Sequence, residues 1–238
     1  MMRKNKIKKN HQKRRIVIGG LAALFLALLF LLDRFGFLPE KTFPAEHFHL
    51  SFQKSNSDFN QNGKDDYLDL LEGAKRDARN HPKYDGSYYS STYPPDNIGV
   101  CTDLVWRAFR EAGLSLRDMV DQDVQRHPEA YPTIQVRDPN IDFRRVKNLR
   151  IFFSRYGKAL STDIHDLGAW QSGDIVIFRG DKHIGIISNL RNAKGRAFLL
   201  HNGGQPKREE DYFKRDLPTE HFRVDFQKLK EADLLIPF

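Results

Sequence analysis

The sequence predicts an α+β domain, with helices packed on an antiparallel sheet, set behind a single membrane-spanning helix. Two observations carry the domain. Apolar residues recur at helical spacing in the first half of the chain, and short β-prone runs between turn residues fill the second. Helices first and strands afterwards is the order of an α+β fold. A third observation carries the anchor: a basic tail leads directly into an uncharged apolar run.

The elements follow in chain order. Residues 1–15 hold eight basic side chains and no acid, a basic cytoplasmic tail. Residues 16–32 are an uncharged run of 17 residues, Ile16 to Leu32. As a helix that run extends about 26 Å, close to the thickness of a bilayer's hydrocarbon core. The basic flank predicts a cytoplasmic N-terminus and a domain outside the membrane. A cleaved signal peptide is the alternative, but Leu29-Phe30-Leu31-Leu32-Asp33-Arg34-Phe35 offers no small-x-small cleavage site. Residues 33–62, polar and interrupted by Pro39 and Pro44, read as a stalk.

Residues 63–238 make the folded domain. Lys64 to Asn80 reads as a helix with Tyr67, Leu68, Leu71, Ala74 and Ala78 on one face. Tyr84 to Ile98 reads as a loop. Thr102 to Ala112 forms the next helix, closed by Gly113, and Ser115 with Asp118 resembles a cap for a short helix after it. Val146 to Tyr156 is a further helix. Asp174 to Phe178, Ile184 to Ser188, Ala197 to His201 and Phe222 to Phe226 are the strands.

Charge excludes one class of partner. Of 39 Lys and Arg against 31 Asp and Glu, eight basic residues lie in the tail, so the rest of the chain balances to zero. The basic pI belongs to the tail and not to a nucleic-acid face.

Cys101 is the single cysteine, which rules out an internal disulfide. The plain reading of such a residue is a small buried hydrophobe. Its place argues for more, because it stands where loop becomes helix. Partial positive charge and unpaired N–H groups gather there, favouring a thiolate and an oxyanion. A cysteine nucleophile needs a base, and the base an orienting partner. His183 opens one predicted strand and His201 closes the next, so pairing as a hairpin makes them neighbours, with Gly185 and Gly203 leaving room. The plainer alternative for each is a histidine satisfied at a strand end. The other histidines, His221 among them, lack such a setting and read as surface or loop residues.

The segments Gly99-Val100-Cys101-Thr102-Asp103-Leu104-Val105, Asn140 to Leu149, Gly173-Asp174-Ile175-Val176, His183-Ile184-Gly185-Ile186-Ile187-Ser188 and His201-Asn202-Gly203-Gly204 occur in this order. Together they resemble the bacterial domain-of-unknown-function 1287 family, itself similar to the NlpC-type papain-like cell-wall peptidases. The resemblance spans roughly residues 63–225. It implies a papain-like fold in which Cys101, His183 and His201 form the triad and Asp174 is a buried structural acid. It also implies a tyrosine near the oxyanion, best placed at Tyr89, with Tyr88 and Tyr93 as rivals. Cys101-Thr102-Asp103 departs from the small Cys-Ser-Gly start of many such enzymes. Arg144 and Arg145 have no counterpart there; they suit a carboxylate or phosphate on a substrate, or plain surface ion pairs.

The expectation is therefore a membrane-anchored, extracytoplasmic cysteine hydrolase acting on amide bonds of peptidoglycan stem peptides, with no cofactor or metal. Acyl transfer to an amine uses the same residues. A catalytically silent wall-binding module and a zinc site on Cys101, His183 and His201 are the other readings, the last without any close ligand pair in the sequence.

Overall fold

The computed structural model describes the backbone of residues 2–238 and the side chains from residue 14 onward. Most side chains of the basic tail therefore lie outside the described residues. The chain divides into two units, Met1–Glu40 and Lys41–Phe238.

The first unit is dominated by helix α1 (Met2–Arg34). Its Arg14–Arg34 portion is long and apolar enough to cross a membrane, a property that a signal sequence shares.

The second unit sets helices on an antiparallel sheet. Helices α2 (Asp66–Asn80), α3 (Cys101–Glu111), α4 (Leu116–Arg126) and α5 (Val146–Tyr156) precede most of the sheet, and α6 (Phe226–Glu231) follows it. The strands are β1 (Phe43–Pro44), β4 (Gly157–Ala159), β5 (Ile175–Phe178), β6 (His183–Arg191), β7 (Ala197–Leu200), β8 (Glu209–Glu210) and β9 (Pro218–Val224). Their order is β4-β9-β5-β6-β7-β8, with β1 added against the end of β6, and every pairing is antiparallel. A separate short parallel pair, β2 (Lys83–Tyr84) with β3 (Ile98–Gly99), lies in the segment expected to be loop.

Local chemistry accounts for the boundaries. Asp65 caps α2 by accepting the Tyr67 N–H, and Ser115 caps α4 by accepting the Asp118 N–H. The first core joins the apolar faces of α2, α3 and α5 to Ile175, Ile177, Ile184 and Ile186 of the sheet. Val176, Phe178, Ile187 and Leu199 point the other way and form a second core with Trp170, Tyr212 and Phe213. Burial on both faces explains why β5 is an unbroken apolar run and does not alternate.

Two expectations are corrected. Residues 41–62 are not stalk but part of the second unit. Phe43 pairs with Arg191, Phe52 and Phe59 pack on the core, and Asn60 Nδ2 donates to the Glu111 carbonyl at 2.9 Å. The segment's polar composition hid a few apolar contacts and many side-chain-to-backbone bonds. His221 is no surface residue either. It is 1 % exposed in β9, with its ring stacked on Trp170 at 4.0 Å and its Nε2 2.9 Å from Asp174.

Candidate active site

The start of α3 is held from three sides. Asp103 accepts from the Val100 N–H at 2.7 Å and from Trp106 Nε1 at 2.9 Å. Arg144 clasps the same carboxylate with Nε at 2.8 Å and Nη2 at 2.9 Å. Asn202, just beyond β7, donates to the Gly99 carbonyl at 2.8 Å, tying the strand end to the helix entry. The departure at Cys101-Thr102-Asp103 thus has a local purpose: the third residue carries the carboxylate that fixes the turn.

Cys101 is 7 % exposed at the first position of α3. Burial pushes its thiol up to about 11, opposed by the N–H groups of Ile184, Thr102 and Cys101 itself. The helix start does favour a thiolate, as the sequence implied, but burial outweighs it. The Ile184 N–H, which pulls the thiol back down, belongs to the residue after His183, so the sulfur lies near the opening of β6.

His183 Nε2 lies 2.8 Å from His201 Nδ1, and His201 Nε2 lies 3.0 Å from Glu210 Oε1. The hairpin register produces this contact. Ile186 faces Leu200 and Ile187 faces Leu199, so continuing the pairing sets Gly185 opposite His201 and His183 opposite Gly203. A Cβ on Gly185 would meet the Leu200 carbonyl at 2.8 Å, which is why glycine stands there. The carboxylate of Glu210 fixes the proton on His201 Nε2, leaving Nδ1 to accept from His183 Nε2–H. Neutral His183 then keeps its Nδ1 lone pair free. Burial, with Arg179 and Arg215 nearby, pulls His183 down to about 4. Burial and the His183 charge hold His201 well below its ordinary value. The resting thiol and both imidazoles are therefore neutral near pH 7.

The structure thus joins His183 to His201 and sets the Cys101 thiol near the Ile184 N–H, one residue along from His183. Among the described residues no group of three or more His, Cys, Asp or Glu is arranged to hold a metal ion, this trio included. Two contributors were not foreseen. Glu210 sits on a two-residue strand too short to show in the sequence, paired with β7 at Leu199 and also bonded to Arg215. Tyr212 packs its ring 5.3 Å from His183 and 4.6 Å from His201 while its hydroxyl accepts from Arg179 at 2.6 Å.

A cleft of about 310 Å³ opens on Cys101, lined by Tyr84, Val100, Ile141, Arg145, Val146 and Lys182 among others. Tyr84, not Tyr89, is the tyrosine on this cleft; the Tyr89 ring instead lies under the Arg144 guanidinium at 5.7 Å. Arg144 reaches the cleft wall, but its guanidinium is committed to Asp103 and to the Ser87 carbonyl at 2.7 Å. It is not free to grip a substrate. Arg145 is exposed beside the same cleft. Asp174 is buried and binds Arg223 at 2.7 Å and His221 at 2.9 Å.

Comparison with known proteins gives a family but no activity. An uncharacterized protein of Escherichia coli strain K12, YijF, is 34 % identical over 166 residues, covering 66 % of this chain and 80 % of the relative. No solved structure matches. The family described as a domain of unknown function, DUF1287, matches residues 71–224, a stretch that contains Cys101, His183, His201 and Glu210, and the chain belongs to that family.

Proposed function

We propose that the protein is a membrane-anchored cysteine hydrolase of papain-like, NlpC-type architecture that cleaves amide bonds of peptidoglycan stem peptides outside the cell membrane. One observation carries the reading: a buried thiol at a helix start faces the opening of the strand that begins with His183, and that imidazole is hydrogen-bonded to a second, carboxylate-oriented imidazole. That is a nucleophile, a base and an orienter in sequence.

The chemistry follows from the tautomers. His183 Nδ1 takes the Cys101 proton as the sulfur attacks the amide carbonyl, forming the S–C bond. The N–H groups at the start of α3 receive the oxyanion. Collapse breaks the C–N bond, and His183 hands its proton to the leaving amine. Water, deprotonated by the same imidazole, cleaves the thioester and releases the acid. His201, held by Glu210, stabilises the cationic state of His183 in each step. Arg145 and Lys182 beside the cleft suit a substrate that bears carboxylates, as stem peptides do.

The test is digestion of purified muropeptides by the detergent-solubilised chain. Wild type releases shortened stem peptides and Cys101→Ala releases none. Full hydrolysis by Cys101→Ala removes the nucleophile assignment. The burial that keeps thiol and imidazoles neutral also favours a second reading, a wall-binding module without catalysis. Binding of muropeptides with no turnover by wild type selects it.

A further inference from the structure

The segment read from composition as stalk contains a pattern that the hydrolase does not use. Asp58, Asn60, Asn62, Gly63, Lys64, Asp66 and Asp69 occupy the first, third, fifth, sixth, seventh, ninth and twelfth places of a 12-residue stretch. Those are the ligand places of a helix-flanking calcium loop, with glycine at the sixth for the sharp turn. Gly63 has φ +84°, the left-handed conformation that this turn requires. The loop runs into α2 as such loops run into their second helix.

We propose that residues 58–69 bind one calcium ion through side-chain oxygens of Asp58, Asn60, Asn62, Asp66 and Asp69 and the carbonyl of Lys64. The side chains already turn inward. Asp58 accepts the N–H groups of Asn62 and Gly63 at 3.0 and 2.9 Å, which curls the loop. The amides of Asn60 and Asn62 lie against the Asp69 carboxylate at 3.2 and 3.0 Å. Asn60 Oδ1 and Asn62 Oδ1 accept the N–H groups of Asn62 and Lys64 at 3.0 and 2.8 Å, the turns by which the odd places of such a loop fold their side chains back over it.

The independent sign is Asp66. It is fully buried, its Oδ1 accepts the Phe59 N–H at 3.0 Å, and its Oδ2 has no hydrogen-bond partner. Asp69 is equally buried. Neither has a Lys, Arg or His within ion-pair distance among the described residues, and Lys64 turns away to Glu72 at 2.5 Å. Buried carboxylates without a counter-charge are unfavourable, and burial accordingly pushes both Asp66 and Asp69 up. The carboxylates alone do not form a metal cluster; the amide and carbonyl oxygens complete a set of hard ligands suited to calcium rather than zinc. Aspartate at the twelfth place is one methylene shorter than the usual glutamate, which points to the weaker end of the range, a Kd of about 10⁻⁴–10⁻³ M. The ion would lock this segment to the nucleophile helix, since Asn60 also holds the Glu111 carbonyl at the end of α3.

The inference is independent of the hydrolase reading and is tested without turnover. The full chain in detergent is dialysed against EDTA, then titrated calorimetrically with calcium chloride and melted with and without it. We expect one ion per chain. At about 10 mM calcium and a Kd of about 10⁻⁴ M, the melting midpoint rises by about 5–10 °C, with a smaller rise in magnesium. Asp58→Asn, at an exposed position where the amide oxygen still accepts a loop N–H, weakens the Kd by at least about tenfold, and Asp58→Asn with Asp69→Asn abolishes binding. No heat and no shift in wild type overturns the proposal. So does an unchanged Kd in Asp58→Asn.

Discussion

The resting state of Cys101 gives the sharpest quantitative expectation. With its thiol near 11, only about one molecule in 10⁴ carries a thiolate at pH 7, a cost of about 5 kcal/mol. The perturbation is pH, and the probe is alkylation by iodoacetamide followed by intact-protein mass spectrometry. No other cysteine competes for the reagent. The rate at pH 7 falls about a hundredfold below that of a thiol at the ordinary value of 9.0, and it climbs about tenfold per pH unit from 7 to 10. His183, drawn down to about 4, is too weak a base to hold the proton at rest. A rate that is flat from pH 6 to 9 would mean a thiolate–imidazolium pair already formed, and the tautomer argument would fail.

Other expectations follow from the same geometry. Unfolded His183 binds a proton near its ordinary value of 6.5, whereas the folded residue does so only near 4, so its contribution to stability is present above pH 6.5 and is lost as pH falls toward 4. Between pH 7 and 5, urea denaturation should show wild type losing about 2 kcal/mol more than His183→Gln, since the buried carboxyls of opposite sign are common to both; equal losses contradict the buried neutral imidazole. Glu210→Gln keeps shape but removes the charge behind His201, so kcat on a cleaved muropeptide should fall by on the order of 10² or more with KM little changed; unaltered kcat removes Glu210 from the relay. Gly185→Ala forces a Cβ to within 2.8 Å of the Leu200 carbonyl and should cost about 1–3 kcal/mol in chemical denaturation, while a neutral effect means that the hairpin is looser than drawn.

Much of this was legible in the residues. Helical spacing located α5 at Val146–Tyr156, and the hairpin argument brought His183 to His201 because side-chain position along paired strands follows from register. The mixed helix and antiparallel sheet arrangement followed from element order alone. What failed to show is equally physical. Glu210 lies on a strand of two residues, below any periodic signal. His221 looked solvent-facing because its partners, Asp174 and Trp170, come from a distant loop. Arg144 looked available because nothing in the sequence pairs it with Asp103, 41 residues earlier. Residues 41–62 looked like a stalk because their order rests on side-chain-to-backbone bonds rather than on an apolar face. Tyr84 displaced Tyr89 for a similar reason: the short β2–β3 pair that carries it to the cleft has no pattern of its own.

The central claim is that the Cys101 sulfur forms a bond to a peptidoglycan acyl group. Mass spectrometry of wild-type protein quenched in acid during muropeptide turnover tests it directly. The account predicts an adduct equal to an acyl fragment of the stem peptide, located on the peptide containing Cys101, with matching shortened fragments in solution and neither in Cys101→Ala. Hydrolysis without that adduct on Cys101, and undiminished in Cys101→Ala, would contradict it.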